Sequence, residues 1–350
     1  MSETRTGFEL FRVDRSKLTS HVPETVDYPD TVSGRVLHID GDFLAYQVSG
    51  DEEKSLNEMK HNHDVAVETL RLLAGAETAV SHLTAAEGDK GNRFDIAIQK
   101  EYQSNRKDKE KPKHLYTIKS WMEQARGAIN HVNQEADDGL CQANYAACQA
   151  GNPELSVLVS KDKDLQMCPG WHLDWDDGTL ELVEGYGYIN LDRSKSSPKI
   201  VGKGTAYFWA QMLTGDAADA IQGIPMAHAP ILNKVDINAT MAKAMDVLKD
   251  PNATEKQKAK AQEKLDGRKS KKCGPVMVYE ILRKCKNDKQ AFNIIKYMYK
   301  QHGEREGFKH WSTGKKVNWY DVMVSEAQLL WMRRVPEQDD VIKFFEELNE

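Results

Sequence analysis

Four groups of carboxylates stand at spacings that chemistry could use: Asp40 and Asp42; Glu135, Asp137 and Asp138; Asp162 and Asp164; Asp216 and Asp219. Like charges this close repel, which raises the pKa of whichever acid loses. A cation resolves the conflict. None of the four groups contains His or Cys, and an oxygen-only donor set suits Mg2+ or Mn2+ while disfavouring Zn2+. Several carboxylates suffice for two ions roughly 4 Å apart, the arrangement used for in-line attack on phosphodiesters. Each group also has a plainer reading as a turn, a cap or a solvated acid. For the stretch EADDGL (135–140) alone, capping is the stronger reading, because acids at a helix start meet its dipole and its free N–H groups. What capping leaves unexplained is that every group falls at a strand end or a helix start.

The elements that must position these acids are legible as patterns. RVLHIDGDFLAY (35–46) is a short apolar strand that breaks at Asp-Gly-Asp and leads into a helix. Residues 51–74 carry Leu56, Met59, His63, Val67 and Leu70 near helical spacing. TAVSHL (78–83) reads as a second strand and LSVLVS (155–160) as a fully buried one. Residues 116–129 and the segment from EADD to Gly151 read as helices. HLDWDDGTLELV (172–183) reads as a hairpin turning at Asp177-Gly178. Alternating strands and helices imply an α/β fold with a mainly parallel central sheet covered on both sides. Functional groups then collect in the crevice beyond the carboxyl ends of the strands, where Asp40, Asp42, Asp162 and Asp164 would stand. After about residue 205 the pattern turns helical, with no convincing strand.

The expected organisation is a polar arm over 1–33, a core over 34–204 with a basic stretch around 100–119, and a helical region over 205–350. The net charge of −6 hides local contrast. Residues 100–119 carry a net +4 and residues 255–272 a net +5, so the rest of the chain carries −15. An acidic body with basic strips suits a protein that holds metal ions and grips phosphates beside them. No run approaches the ~18 apolar residues of a membrane span, and the start lacks the apolar core of a signal peptide. The five cysteines have no CxxC spacing, which argues for reduced thiols and a cytoplasmic location and against a zinc ribbon.

Taken together, HIDGD, RFDIAIQKEYQSNRK, EADDGL, SKDKDLQ and LTGDAADAIQGIP occur in the order seen in the flap endonuclease (5′-nuclease) superfamily. The chain most resembles the 5′–3′ exonucleases of tailed bacteriophages and the 5′-nuclease domain of bacterial DNA polymerases, over roughly residues 35–225. The resemblance implies a metal-dependent 5′–3′ exonuclease with flap or RNA-primer removal activity, acting in phage DNA replication or recombination. It implies Mg2+ or Mn2+, two ions, held by Asp40, Glu135, Asp137 and Asp162 for the first and by Asp138, Asp164 and Asp219, with Asp216 nearby, for the second. Arg93 and Arg106 match the family's phosphate-gripping arginines, and Tyr102 matches its stacking aromatic. The segment after it, with Lys107, Lys109, Lys111 and Lys113, matches the basic arch over a single strand. The partners implied are DNA with 5′ ends, flaps or RNA-primed strands and other replication proteins, with no membrane and a monomeric chain.

Three departures qualify the match. The family's lysine after the tyrosine is here Gln103, which leaves the site short of a cation unless Lys100 or Lys107 takes its place; the second outcome is expected. The strand near residue 80 runs into Leu83-Thr84-Ala85, with only Glu87 or Asp89 to replace its usual terminal aspartate. QGIP (222–225) begins like a helix-hairpin-helix, a module that can also hold K+. Its second half resembles KCGPVMVYEIL (272–282), displaced by an insertion at about 226–273, with Gly223 and Gly274 as the turn glycines that would face duplex phosphates. The alternatives are a non-catalytic DNA-structure-binding protein and a PIN-like ribonuclease with a similar four-acid core.

Overall fold

The apolar run at 36–39 forms the heart of a strand, Val32–Asp40 (β1), in which Leu37 and Ile39 are wholly buried. The computed structural model describes residues 28–51, 53–85, 90–106, 110–194, 196–228, 239–266 and 270–350. The polar arm expected over 1–33 lies, up to residue 27, outside them. The chain forms two compact units: residues 1–92, 109–184 and 332–338 belong to the first, and 93–108, 185–331 and 339–350 to the second.

In the first unit β1 runs into helix α1 (Gly41–Ser49), followed by α2 (Leu56–Leu73) and strand β2 (Ala76–Thr84). Helix α3 (Leu115–Arg126), strand β3 (Ile129–His131), helix α4 (Ala136–Gln149) and strand β4 (Ser156–Val159) complete the parallel part. Strands β5 (Gly170–Leu173) and β6 (Leu180–Val183) form the expected hairpin, with Gly178 at φ 73° in its turn. The sheet order is β3-β2-β1-β4-β5-β6, and every pairing but β5–β6 is parallel. The fold is therefore α/β with a mainly parallel central sheet. Alternation along β1 divides its side chains between two faces. Leu37 and Ile39 enter the core that α1, α2 and α3 share with Leu44, Met59, Leu70, Ile118, Met122, Val157 and Val159. His38 and Asp40 take the other face, against which α4 packs. The chain order reverses between β1 and β4, and in such sheets the crevice opens at that point.

The second unit opens with a short helical turn at Arg93–Ile96 and a 3-10 turn at Ser104–Arg106; an antiparallel pair follows, β7 (Tyr188–Asp192) and β8 (Lys199–Lys203), which the sequence did not signal. Helix α5 (Thr205–Thr214) is buried on every side from Thr205 to Leu213, as its mostly apolar composition, interrupted by Gln211, requires. Trp209 donates from Nε1 to Asp288 Oδ1 at 2.7 Å and packs on Phe292, Phe344 and Phe345. Past residue 225 comes β9 (Met226–His228), then helices α6 (Ala239–Lys249) and α7 (Glu255–Asp266), which pack on each other, and β10 (Ser270–Lys272). The antiparallel β9–β10 ladder closes this excursion at its base, and Cys273 N–H donates to Pro225 O at 3.0 Å. The chain then enters α8 (Pro275–Leu282), α9 (Asp288–Arg305), a short antiparallel pair β11 (Phe308–Lys309) and β12 (Lys316–Val317), α10 (Trp319–Leu330) and α11 (Asp340–Asn349). The expectation of no strand after residue 205 is thus corrected. Ladders of two or three residues are too short to show a period of two in sequence. Among the described residues no helix is long and apolar enough to cross a membrane.

Candidate metal centre

The acids of the first unit are placed by strand ends and helix starts. Asp40 ends β1 and caps α1, accepting the Phe43 N–H at 2.9 Å. Its other oxygen accepts from Ser160 Oγ at 2.6 Å, and Ser160 in turn accepts the Asp162 N–H at 2.9 Å. Asp162 caps the 3-10 turn Lys163–Met167 and accepts the Asp164 N–H at 2.8 Å. One hydroxyl thus fixes Asp40 relative to the loop that follows β4. Glu135 is the cap of α4, with Asp137 in its first turn.

The electrostatics of these groups are set by burial and by mutual repulsion. Burial pushes the Asp40 carboxyl up to about 7, the charges of Asp42 and Asp162 adding to the effect. Burial raises Asp137 well above the ordinary carboxylate range, and the charges of Asp40, Asp162, Glu135 and Asp42 raise it further. Asp40, Asp162 and Glu135 are therefore near enough to Asp137 for their charges to oppose its ionisation. Their donors are all carboxylate oxygens, so the residues present fit Mg2+ or Mn2+. Ammonium groups stand around the rim: Lys90 Nζ is 3.5 Å from Glu135, Lys163 Nζ 2.8 Å from Asp164 and Lys119 Nζ 2.7 Å from Asp42.

Asp138 and Asp42 are likewise held by protein bonds. Asp138 is wholly buried; its oxygens accept the Glu135 N–H at 3.3 Å and the Arg333 N–H at 3.0 Å, and the Arg333 Nε lies 4.0 Å away. Asp42 accepts the Thr84 N–H with both oxygens, at 3.2 and 3.1 Å. Thr84, at the end of β2, is the residue the sequence shows in place of the family's usual aspartate. It binds Asp42 through its N–H, Lys119 through its carbonyl and the Ala136 N–H through its hydroxyl at 2.9 Å. The suggested substitutes, Glu87 and Asp89, lie outside the described residues.

Behind the acids runs a chain of imidazoles that the sequence reading did not single out. His38 Nδ1 is 3.0 Å from His82 Nε2, and His82 Nδ1 is 2.9 Å from His131 Nε2. Burial holds His38 down to about 4 and His82 to about 3, so the chain is neutral at physiological pH. It also explains the glycine of EADDG: a Cβ at Gly139 would stand 2.3 Å from the His131 ring. The usable signal was a histidine on each of three neighbouring strands.

In the second unit Asp216 and Asp219 lie on a turn closed by reciprocal backbone bonds between Asp216 and Ile221, at 2.9 and 2.8 Å. Asp216 Oδ1 accepts the Ala218 N–H at 2.9 Å. The segment after Lys100 wraps this turn. Gln103 donates its N–H to Asp219 O at 2.9 Å and its Nε2 to Asp219 Oδ1 at 3.1 Å. Arg106 places Nη2 2.5 Å from Asp219 Oδ1, and Asn105 donates to Ala217 O at 2.7 Å. Arg106 remains half exposed, where a phosphate could compete for it. Gln103 is 8% exposed at φ 52°, a left-handed conformation uncommon for a side chain of this kind.

Two of the expected site residues are buried. Tyr102 is 2% exposed, and its ring meets Phe94, which is 45% exposed, edge-on at 5.6 Å. Arg93 is wholly buried and presents no surface guanidinium. Both follow from packing partners that a linear motif does not name. In the basic stretch Lys111 lies over the exposed Tyr116 and donates to its hydroxyl at 2.8 Å, and Lys113 is exposed. Lys107 and Lys109 lie outside the described residues. Gly223 has φ 64°, and Gly274 caps α8 with open space around its Cα.

No family model matches the chain, and no curated protein matches it in sequence. In structure, the chain shows similarity to solved proteins of bacteriophage T5. A T5 protein co-crystallised with metal ions is 13% identical, with 90% of this chain and 100% of that one covered at a TM-score of 0.39. A T5 flap endonuclease in a pseudo-enzyme-product complex with DNA and metal ions is 14% identical, covering 85% and 97% at 0.40. A T5 5′-exonuclease with bound divalent zinc is 15% identical, covering 85% and 98% at 0.40.

Proposed function

We propose that the chain is a divalent-metal-dependent nuclease of the 5′-nuclease type, a 5′–3′ exonuclease that also removes flaps or RNA primers. The observation that carries this reading is the acid group at the β1 and β4 ends. Asp40 is there forced toward its neutral form by burial and by Asp42 and Asp162, and Asp137 by burial and by Asp40, Asp162 and Glu135, a conflict that bound cations remove. The ordered motifs around that group support the same reading.

In this proposal Asp40, Glu135, Asp137 and Asp162 bind Mg2+ or Mn2+, with Asp164, Asp216 and Asp219 as further carboxylate donors. Asp138 keeps the start of α4 in place. Such ions supply Lewis acidity toward a phosphodiester and a water of lowered pKa. Ser160 orients Asp40, and the neutral imidazoles of His38, His82 and His131 exclude water behind it. Arg106 and the lysines of the basic stretch, Lys107, Lys109, Lys111 and Lys113, bind phosphate, Arg106 through its fork of N–H donors. The joining of Pro225 to Cys273 across the β9–β10 ladder supports the interrupted helix-hairpin-helix with Gly223 and Gly274 in its turns, and K+ is the ion such a module would take.

A nuclease assay on end-labelled duplex, gapped and 5′-flap DNA, with and without Mg2+, tests the proposal. Cleavage from the 5′ side that requires the ion is expected. Tight binding of flap DNA with no cleavage in Mg2+ or Mn2+ would instead favour the non-catalytic DNA-structure binder, for which the loss of the arch lysine at Gln103 speaks.

A further inference from the structure

One buried carboxylate of the second unit has no place in that account. Glu326, on α10, is 1% exposed. Its Oε2 accepts the Gly223 N–H at 3.0 Å and its Oε1 accepts Gln99 Nε2 at 2.9 Å, while the same Gln99 nitrogen donates to Gly223 O at 3.0 Å. The Gln222 backbone N–H adds a further bond. The neighbouring Ser325 donates to Ile96 O at 2.7 Å. So α10 grips two segments at once: the end of the turn that carries Asp216 and Asp219, and the start of the segment that carries Tyr102, Gln103 and Arg106.

Neither segment has slack at this point. Gly223 sits at φ 64°, and a Cβ there would meet Gly215 N at 2.4 Å and Leu213 O at 2.7 Å, so the turn is backbone packed on backbone. Four residues after Gln99, Gln103 clasps Asp219 through both its backbone and its side chain. A buried carboxylate needs its hydrogen bonds, and a side chain without acceptors would strand the Gly223 and Gln222 N–H groups. Burial also pushes the Glu326 carboxyl up to about 7, which only its bonds and the nearby Lys100 oppose.

We infer that Glu326 is a positioning residue that locks the Asp216–Asp219 turn to the Gln99–Arg106 segment and so sets where the Asp219 carboxylate stands. The inference rests on the nuclease reading only for its consequence in catalysis. The lock itself is a property of the fold.

The test uses the full chain and the variants Glu326→Ala and Glu326→Gln, with three readouts. Amide hydrogen exchange is followed at Gly223, Gln103 and Ile39; Mn2+ binding is followed by the resonance of the free ion; cleavage of 5′-flap DNA is measured against Mn2+ concentration. In Glu326→Ala, exchange at Gly223 and Gln103 is expected to rise about tenfold while Ile39 stays at the parental rate. Mn2+ affinity is expected to fall about tenfold, and cleavage to recover at high Mn2+. Glu326→Gln should lie between, because its amide oxygen still accepts one N–H.

Parental exchange at Gln103 together with parental Mn2+ binding in both variants would overturn the inference. So would equal acceleration at Ile39, which would mark a general loosening. Should the alanine variant not fold, the glutamine variant decides, and its parental behaviour in exchange and Mn2+ binding overturns the lock. If the parent binds Mn2+ but cuts no DNA, the nuclease reading fails while exchange and Mn2+ binding still judge the lock.

Discussion

Ser160 Oγ donates to Asp40 Oδ2 at 2.6 Å and accepts the Asp162 N–H, so a single hydroxyl joins the ends of two adjacent parallel strands. That bond opposes the rise of the Asp40 pKa. Replacing Ser160 by alanine should cost about 1–2 kcal/mol of stability, the toll of two lost hydrogen bonds at a part-buried site. It should also weaken Mn2+ binding several-fold and move the binding midpoint to higher pH. Urea denaturation and calorimetric Mn2+ titration at pH 6 and 8 check this; unchanged Mn2+ affinity would mean that Ser160 serves the loop alone.

Asp137→Asn and Asp162→Asn each remove one charge from a group that opposes its own ionisation. Cutting should be abolished, while metal-free thermal stability is unchanged or raised, because repulsion is relieved. Full Mg2+-dependent activity in both variants would end the metal-centre proposal.

The pH dependence has a definite sign. Asp40 binds its proton up to about 7 when folded, against 3.8 as an ordinary carboxyl. Between these values the folded chain holds the extra proton, so this group lowers metal-free stability as pH rises from about 4 to about 7, and the full loss persists above. The histidine chain acts in the opposite sense, with His38 at about 4 and His82 at about 3 against 6.5 unfolded, so it destabilises the fold as pH falls below 6.5. The gain in Tm on adding Mg2+ isolates the acids from the histidines. It should be larger at pH 8 than at pH 5.5, because binding displaces protons. A gain independent of pH would contradict the assignment of Asp40.

Gln103 bonds Asp219 twice and is buried, which changes what a lysine there would do. An ammonium at this position would compete with Arg106 for the Asp219 carboxylate instead of reaching solvent and phosphate. Gln103→Lys should therefore slow single-turnover cleavage, by about tenfold for ~1.4 kcal/mol of barrier. Lys100 is exposed and is the described lysine best placed by sequence to supply the charge. Faster cleavage by Gln103→Lys would show that the amide is a poor substitute for a missing cation.

The sequence by itself determined β1, β2, β4 and the helices of the first unit, because those strands carry apolar runs and α2 a helical period, which are local signals; the three-residue β3 carries none and falls where a helix was read to end. It also placed Asp40, Glu135, Asp137 and Asp162 at element boundaries, since a carboxylate beside a strand end or helix start is visible in one dimension. What only tertiary structure decided is which groups those side chains meet. Asp138 turns to Arg333, nearly two hundred residues away, and the Thr84 hydroxyl accepts the Ala136 N–H across about fifty. Tyr102 and Arg93 are buried although their motif suggested a surface role, and Glu326 reaches Gly223 across about a hundred residues of sequence. Local pattern fixes the direction of a strand and the start of a helix through backbone geometry. Burial and hydrogen-bond partners arise from packing between distant segments, and that information is not present in any one of them.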